Sequence, residues 1–82
     1  MHAASLRASG ARHPRPGAAR RASGLTVDKA AAACKVSRPT YNERERYPLD
    51  FRLGELVNLY GSLDGIGKEL LLKAVNSAFD EA

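Results

Sequence analysis

Two helix starts set close together constrain this chain more than any other feature. Thr26 precedes VDKAAAAC, and Ser37 precedes RPTYNERER. Both are hydroxyl residues of the kind that accept a free backbone N–H at the start of a helix. Asp28 adds negative charge to the first turn of the earlier segment, whose alanines have the highest helix propensity. Pro39 stands in the first turn of the later segment, where a missing N–H costs nothing, and Pro48 closes it. Lys35 and Val36 alone lie between Cys34 and the Ser37 cap, so the two short helices must meet through a tight turn. The later helix, Arg38 to about Arg46, is almost wholly polar. Tyr41 is its best inward anchor, which leaves Arg38, Asn42, Glu43 and Arg46 facing outward.

The remaining segments also read as helices. AARRAS, after Gly17, is a short candidate stopped by Gly24. DFRLGELVNLYG places Phe51, Leu53, Leu56, Val57, Leu59 and Tyr60 near the spacing of one buried face, with Gly61 as a C-terminal cap. SLDGIGKELLLKAVNSAFDEA, with Asp64 as a cap, gathers Ile66, Leu70, Leu71, Ala74, Val75 and Ala78 on one face, widened by Leu72 and Phe79. An apolar arc that broad predicts two burial partners. No alternating strand pattern occurs, so the expected class is all-α with five helices. A chain of 82 residues makes one small domain whose core is marginal alone. A second surface is expected to help, and the helix at 65–79 is the expected seam of a homodimer.

Charge divides the chain in two. Up to Gly24 there are Arg7, Arg12, Arg15, Arg20 and Arg21 and no acid, while all 9 Asp and Glu of the chain follow Leu25. Residues 1–16, with Pro14 and Pro16 beside Gly17, read as a disordered basic arm, and 17–82 as the folded domain. An acid-free, arginine-rich arm suits a polyanion, of which nucleic acid is the commonest. The same composition describes an organelle transit peptide, or a start codon placed too far upstream. No apolar run approaches a membrane span. Cys34 is alone and follows four alanines, as a small buried thiol would. His2 and His13 lie far from any carboxylate cluster, and no metal-ligand spacing, phosphate loop or nucleophile motif is present. Neither a catalytic role, a cofactor nor a small-molecule ligand is indicated.

A polar helix behind a tight turn has a known use. An α-helix fits the major groove of B-DNA, where arginine pairs with guanine, asparagine with adenine, and glutamate can accept from cytosine. Thr40 could offer its methyl to thymine or its hydroxyl to phosphate. The bland alternative is a solvated face laced by Arg–Glu pairs, each worth a few tenths of a kcal/mol.

GLTVDKAAAACKVSRPTYNERE resembles the lambda-repressor-like (Cro/CI-type, XRE-type) helix-turn-helix domain over about residues 18–72. The matches are Gly24, Leu25, Thr26, Ala31, Val36, Ser37 and Glu45, with Tyr41 at the apolar position of the recognition helix. SRPTYNERERYPLDFRLGEL is similar to small phage and prophage members. The resemblance implies a five-helix bundle and a transcription regulator that binds double-stranded DNA, usually as a dimer. It places Arg38, Pro39 and Glu43 at base edges, Ser37 and Thr40 near phosphates, and Arg20 in a structural brace with Glu45. Lys35, Asn42 and Arg46 complete the expected DNA-binding set, in a bacterial or phage-infected cytoplasm and close to the nucleoid. The departures are as informative. Val27 stands where the family fixes a phosphate with glutamine. Lys35 replaces the turn glycine, and so must hold a positive φ or sit in a different turn. Arg44 replaces an aromatic or leucine, and the prolines and Gly17 cut the first helix short. Val27, Lys35, the broken first helix and the two glutamates of the polar helix, Glu43 and Glu45, favour a rival: a helical protein-interaction module, antitoxin-like or an anti-repressor partner, that has lost DNA.

Overall fold

The computed structural model describes residues 15–81. It contains α1 (Pro16–Ala22), α2 (Val27–Cys34), α3 (Arg38–Arg46), α4 (Leu53–Gly61) and α5 (Gly65–Glu81), with one 3₁₀ turn at Pro48–Asp50. Among the described residues there is no strand, and the fold class is all-α. The basic arm through Pro14 lies outside the described residues. Pro16 does not: it is buried and opens α1, because its fixed φ is preset for a first helical position. The folded part therefore begins before Gly17. The first helix is short, at 7 residues.

Caps set most helix starts. Thr26 Oγ1 accepts from the Lys29 N–H at 3.1 Å, and Ser37 Oγ from the Thr40 N–H at 3.3 Å. Asp64 Oδ1 accepts from the Gly67 N–H at 2.8 Å. It also accepts from the Ser23 hydroxyl at 3.0 Å, which ties the start of α5 to the end of α1. α4 instead uses its own Glu55, whose Oε1 reaches back to the Arg52 N–H at 3.0 Å. That contact is the return half of a capping box.

Two helix ends close by the same backbone device. After α1, Leu25 N–H donates to the Arg20 carbonyl and Gly24 N–H to that of Arg21. After α2, Val36 N–H donates to the Ala31 carbonyl and Lys35 N–H to that of Ala32, both at 3.1 Å. This pairing needs a left-handed residue at the turn. Gly24 takes it at φ 71°, and Lys35 takes it at φ 60°. A lysine held there is strained by its Cβ. Lys35→Gly is therefore expected to stabilise the fold by about 1 kcal/mol, the steric gain less glycine's larger entropy in the unfolded chain. A thermal melt reads it directly, and a lower Tm would count against the strained turn. Gly61 does not act as the expected cap. It remains helical, and α4 ends through right-handed Ser62, whose N–H donates to the Leu59 carbonyl.

Tyr41, Leu59 and Leu71 are fully buried at the centre, with Ala19, Ala30, Ala31 and Cys34 closing around them. Each of the three large side chains contributes about 1.5–3 kcal/mol by leaving water. α1 lies along α5, and α2 packs on both α3 and α4. The α1–α5 approach requires Gly67, since a Cβ there would run into Ser23 Oγ and come within 3.1 Å of the Ala19 carbonyl. The apolar faces read from the sequence were too generous. Phe51 and Leu59 are buried, but Leu53 is 78% exposed and Val57 61%. On α5, Leu71 and Ala74 are buried, whereas Ile66, Leu72 and Phe79 are largely exposed. Helical spacing shows that such residues share a side. It does not say that anything covers that side.

Candidate functional site

The outer edge of α3 is the candidate site, and its chemistry begins with what fixes the helix from behind. Tyr41 is completely buried, and its ring meets Phe51 edge-on with centroids 6.1 Å apart. Arg20 on α1 reaches Glu45 on α3, Nε to Oε2, at 2.6 Å, and its Nη1 also donates to the Leu25 carbonyl at 3.0 Å. Both side chains of this pair are mostly shielded from water. The hydrogen bond to Glu45 raises the Arg20 pKa further above its already high value, against the opposing effect of burial.

A second ion pair was not visible in the sequence. Arg44 sends Nε to Glu55 Oε1 at 2.8 Å and Nη2 to Oε2 at 3.3 Å. This two-pronged contact ties α3 to the first turn of α4. The Arg44 guanidinium, and behind it the Arg52 N–H, hold the Glu55 carboxyl below its ordinary range, although burial acts the other way. The stability gained from Glu55 is complete above the usual glutamate value of about 4.3 and drains away as pH falls through the lower folded value. Asp64 behaves alike, lowered by the Gly67 N–H and then the Ser23 hydroxyl. Thermal stability is therefore expected to be flat from neutrality to about pH 5 and to drop below about pH 4. In Glu55→Gln that drop should shrink, and an unchanged acid profile would count against the bridge.

Beneath this frame, Cys34 Sγ donates to the Glu55 carbonyl at 3.5 Å. Burial pushes its thiol up to about 11, so at neutral pH the sulfur stays the protonated thiol of a buried packing group. Among the described residues there is no cluster of His, Cys, Asp or Glu fit to hold a metal ion.

The front of α3 is open. Lys35, Ser37, Arg38, Pro39, Asn42, Glu43 and Arg46 are exposed, and Thr40 is half-buried. Ser37 and Thr40 are joined by a 2.9 Å hydroxyl contact, so neither hydroxyl is wholly idle. Arg38 Nη1 lies 3.5 Å from Asp28 Oδ1 on α2, with both side chains mostly in water. An exposed pair of this kind is weak, and a stronger anion or acceptor can draw the guanidinium away. Arg46 stands at the C-terminal end, where its carbonyl accepts from Arg15 Nη2 at 3.4 Å. The expected site residues thus share one edge, except Arg20 and Glu45, which sit behind it. The edge carries both signs, because Glu43 and Asp28 interrupt the cations.

No helix among the described residues is long and apolar enough to cross a membrane. No known protein family, characterised protein or solved structure matches this chain.

Proposed function

We propose that the chain is a small sequence-specific DNA-binding regulator in which α2 and α3 act as a helix-turn-helix, in the lambda-repressor-like manner that the sequence resembles. α3 would enter the major groove. Arg38, Asn42 and Glu43 would meet base edges, while Lys35, Ser37, Thr40 and Arg46 would meet phosphates and set the register. One observation carries this reading. α3 is gripped on its inner side by Tyr41 and by ion pairs to both α1 and α4, yet its outer edge is polar and uncovered. A rigid helix with free polar side chains is what groove docking demands, because floppy readers lose entropy on binding. The chain would act where the genome lies, in a bacterial or phage-infected cytoplasm.

A second reading rests on a different observation. The exposed apolar residues of α4 and α5 suit a helical module that binds another protein, with Glu43 and Asp28 weakening attraction to phosphate. Footprinting on genomic fragments, with random duplex as competitor and a salt titration, separates the two readings. A protected site that survives competition and weakens steeply with salt supports the regulator. Salt-insensitive association with another protein, and no footprint at low salt, would overturn it.

A further inference from the structure

Among the described residues, nothing covers an apolar trough beside α5. One part, about 260 Å³, runs between the 3₁₀ turn and the C-terminal half of α5, with Pro16, Leu49 and Phe79 on its rim. A second part, also about 260 Å³, runs between α4 and the middle of α5, with Val57 and Leu72 on its walls. Leu53, Leu56 and Val75 line both, so the two are one continuous surface. Among the described residues, no charged side chain lines either part. The far end is marked by Lys68, whose Nζ stands 5.4 Å over the Tyr60 ring.

We infer that a second copy of this chain occupies the trough in a two-fold dimer built from α4, α5 and the 3₁₀ turn together. Three observations choose this occupant. First, the surface pairs hollows with protrusions: Leu53 is 78% and Phe79 74% exposed, and each borders a hollow of the size an apolar side chain fills. An isologous interface needs such self-complementarity. Second, the area is right. Leu49, Leu53, Val57, Leu72 and Phe79 are each at least half exposed, and together with their neighbours they offer several hundred Å². That is comparable with the largest apolar patch of a typical monomer, about 300–600 Å² and often an interaction site, and approaches the ~800 Å² per partner of a stable interface. Third, the residues that precede the fold suit the trough poorly. Residues 1–14 lead to Pro16 on its rim, but Met1 and Leu6 are their only large apolar residues, among Arg7, Arg12, His2 and His13. An uncharged trough gives those cations no counter-charge.

The seam therefore differs from one made by the helix at 65–79 alone, because Leu49 of the turn and Leu53, Leu56 and Val57 of α4 also line it. Its lining includes none of Lys35, Ser37, Arg38, Asn42 or Glu43, so the dimer would carry two reading edges. That consequence rests on the DNA-binding reading; the dimer itself does not.

Sedimentation of the full chain without DNA tests the inference. A dimer should form reversibly with concentration, and Leu53→Glu and Phe79→Glu should each weaken it by about 30-fold or more, as central apolar anchors do. Both positions are exposed, so helicity by circular dichroism should persist in the variants. Arg38→Ala should leave dimerisation unchanged. A wild-type chain that stays monomeric at about millimolar concentration, well above the dissociation constant of a specific interface, would overturn the proposal, as would folded glutamate variants that dimerise like wild type. Either failure would leave the α3 reading standing, since no DNA is present.

Discussion

Tyr41→Ala is expected to cost about 3–5 kcal/mol, the usual penalty for emptying a large aromatic site in a core. Small domains hold only about 5–15 kcal/mol in all, so the variant should be largely unfolded at physiological temperature. The ring is fully buried, packs on Phe51, and separates α3 from the core alanines of α2. Tyr41→Phe should behave in the opposite way. The phenol oxygen is buried with no hydrogen-bond partner among the described residues. Burial, and then the nearby Glu45 carboxylate, push its pKa upward, so it stays protonated. Deleting an unpartnered buried hydroxyl removes a desolvation cost and leaves the packing intact. Thermal melts should place Tyr41→Phe at or above wild type. A loss of more than about 1 kcal/mol would mean that the hydroxyl bonds to Glu45 in solution, and that the Arg20–Glu45 pair has a third member.

How far the sequence could be read depended on the range of each interaction. Thr26, Ser37 and Asp64 were legible as caps because a cap needs only the next few residues. Tyr41 was legible as the anchor of α3 because it is the only large apolar residue in RPTYNERER. The Arg44–Glu55 bridge was not legible. It joins residues on two helices, and its length depends on how α3 and α4 approach, which no local pattern encodes. Lys35 lay between these cases. The sequence left open a left-handed lysine or a different turn, and the paired bonds to Ala31 and Ala32 settle it. Leu53, Val57 and Phe79 show the limit most clearly. Their spacing groups them with buried neighbours, yet a helix with an apolar arc this broad has more apolar surface than one small core can cover. The outward edge of α3 was read as a set, already mixed in sign through Glu43, but its second acid, Asp28 beside Arg38, came from a contact between residues on different helices.

If α3 reads DNA as proposed, Arg38→Ala gives the sharpest test of that edge. Affinity for the preferred duplex should fall about 5- to 150-fold, the ~1–3 kcal/mol of one base contact, while affinity for random duplex should change little. Arg38→Lys should recover little of the loss, because an ammonium keeps the charge without the two-pronged geometry that guanine rewards. Since Arg38 is mostly in water and its partner is an exposed carboxylate, neither change should lower Tm, so lost binding cannot be blamed on lost fold. Asp28→Asn adds a check from the other side. It releases Arg38 and removes a negative charge from the approach to phosphate, so affinity should rise for random duplex and by at least the same factor for the preferred duplex, and the ratio between them should not narrow. Arg46→Ala, at the end of the helix, should lower both affinities together and flatten the salt dependence. If Arg38→Ala and Arg46→Ala instead gave the same uniform loss, Arg38 would be one more phosphate contact, and the reading of sequence would have to lie with Asn42 and Glu43.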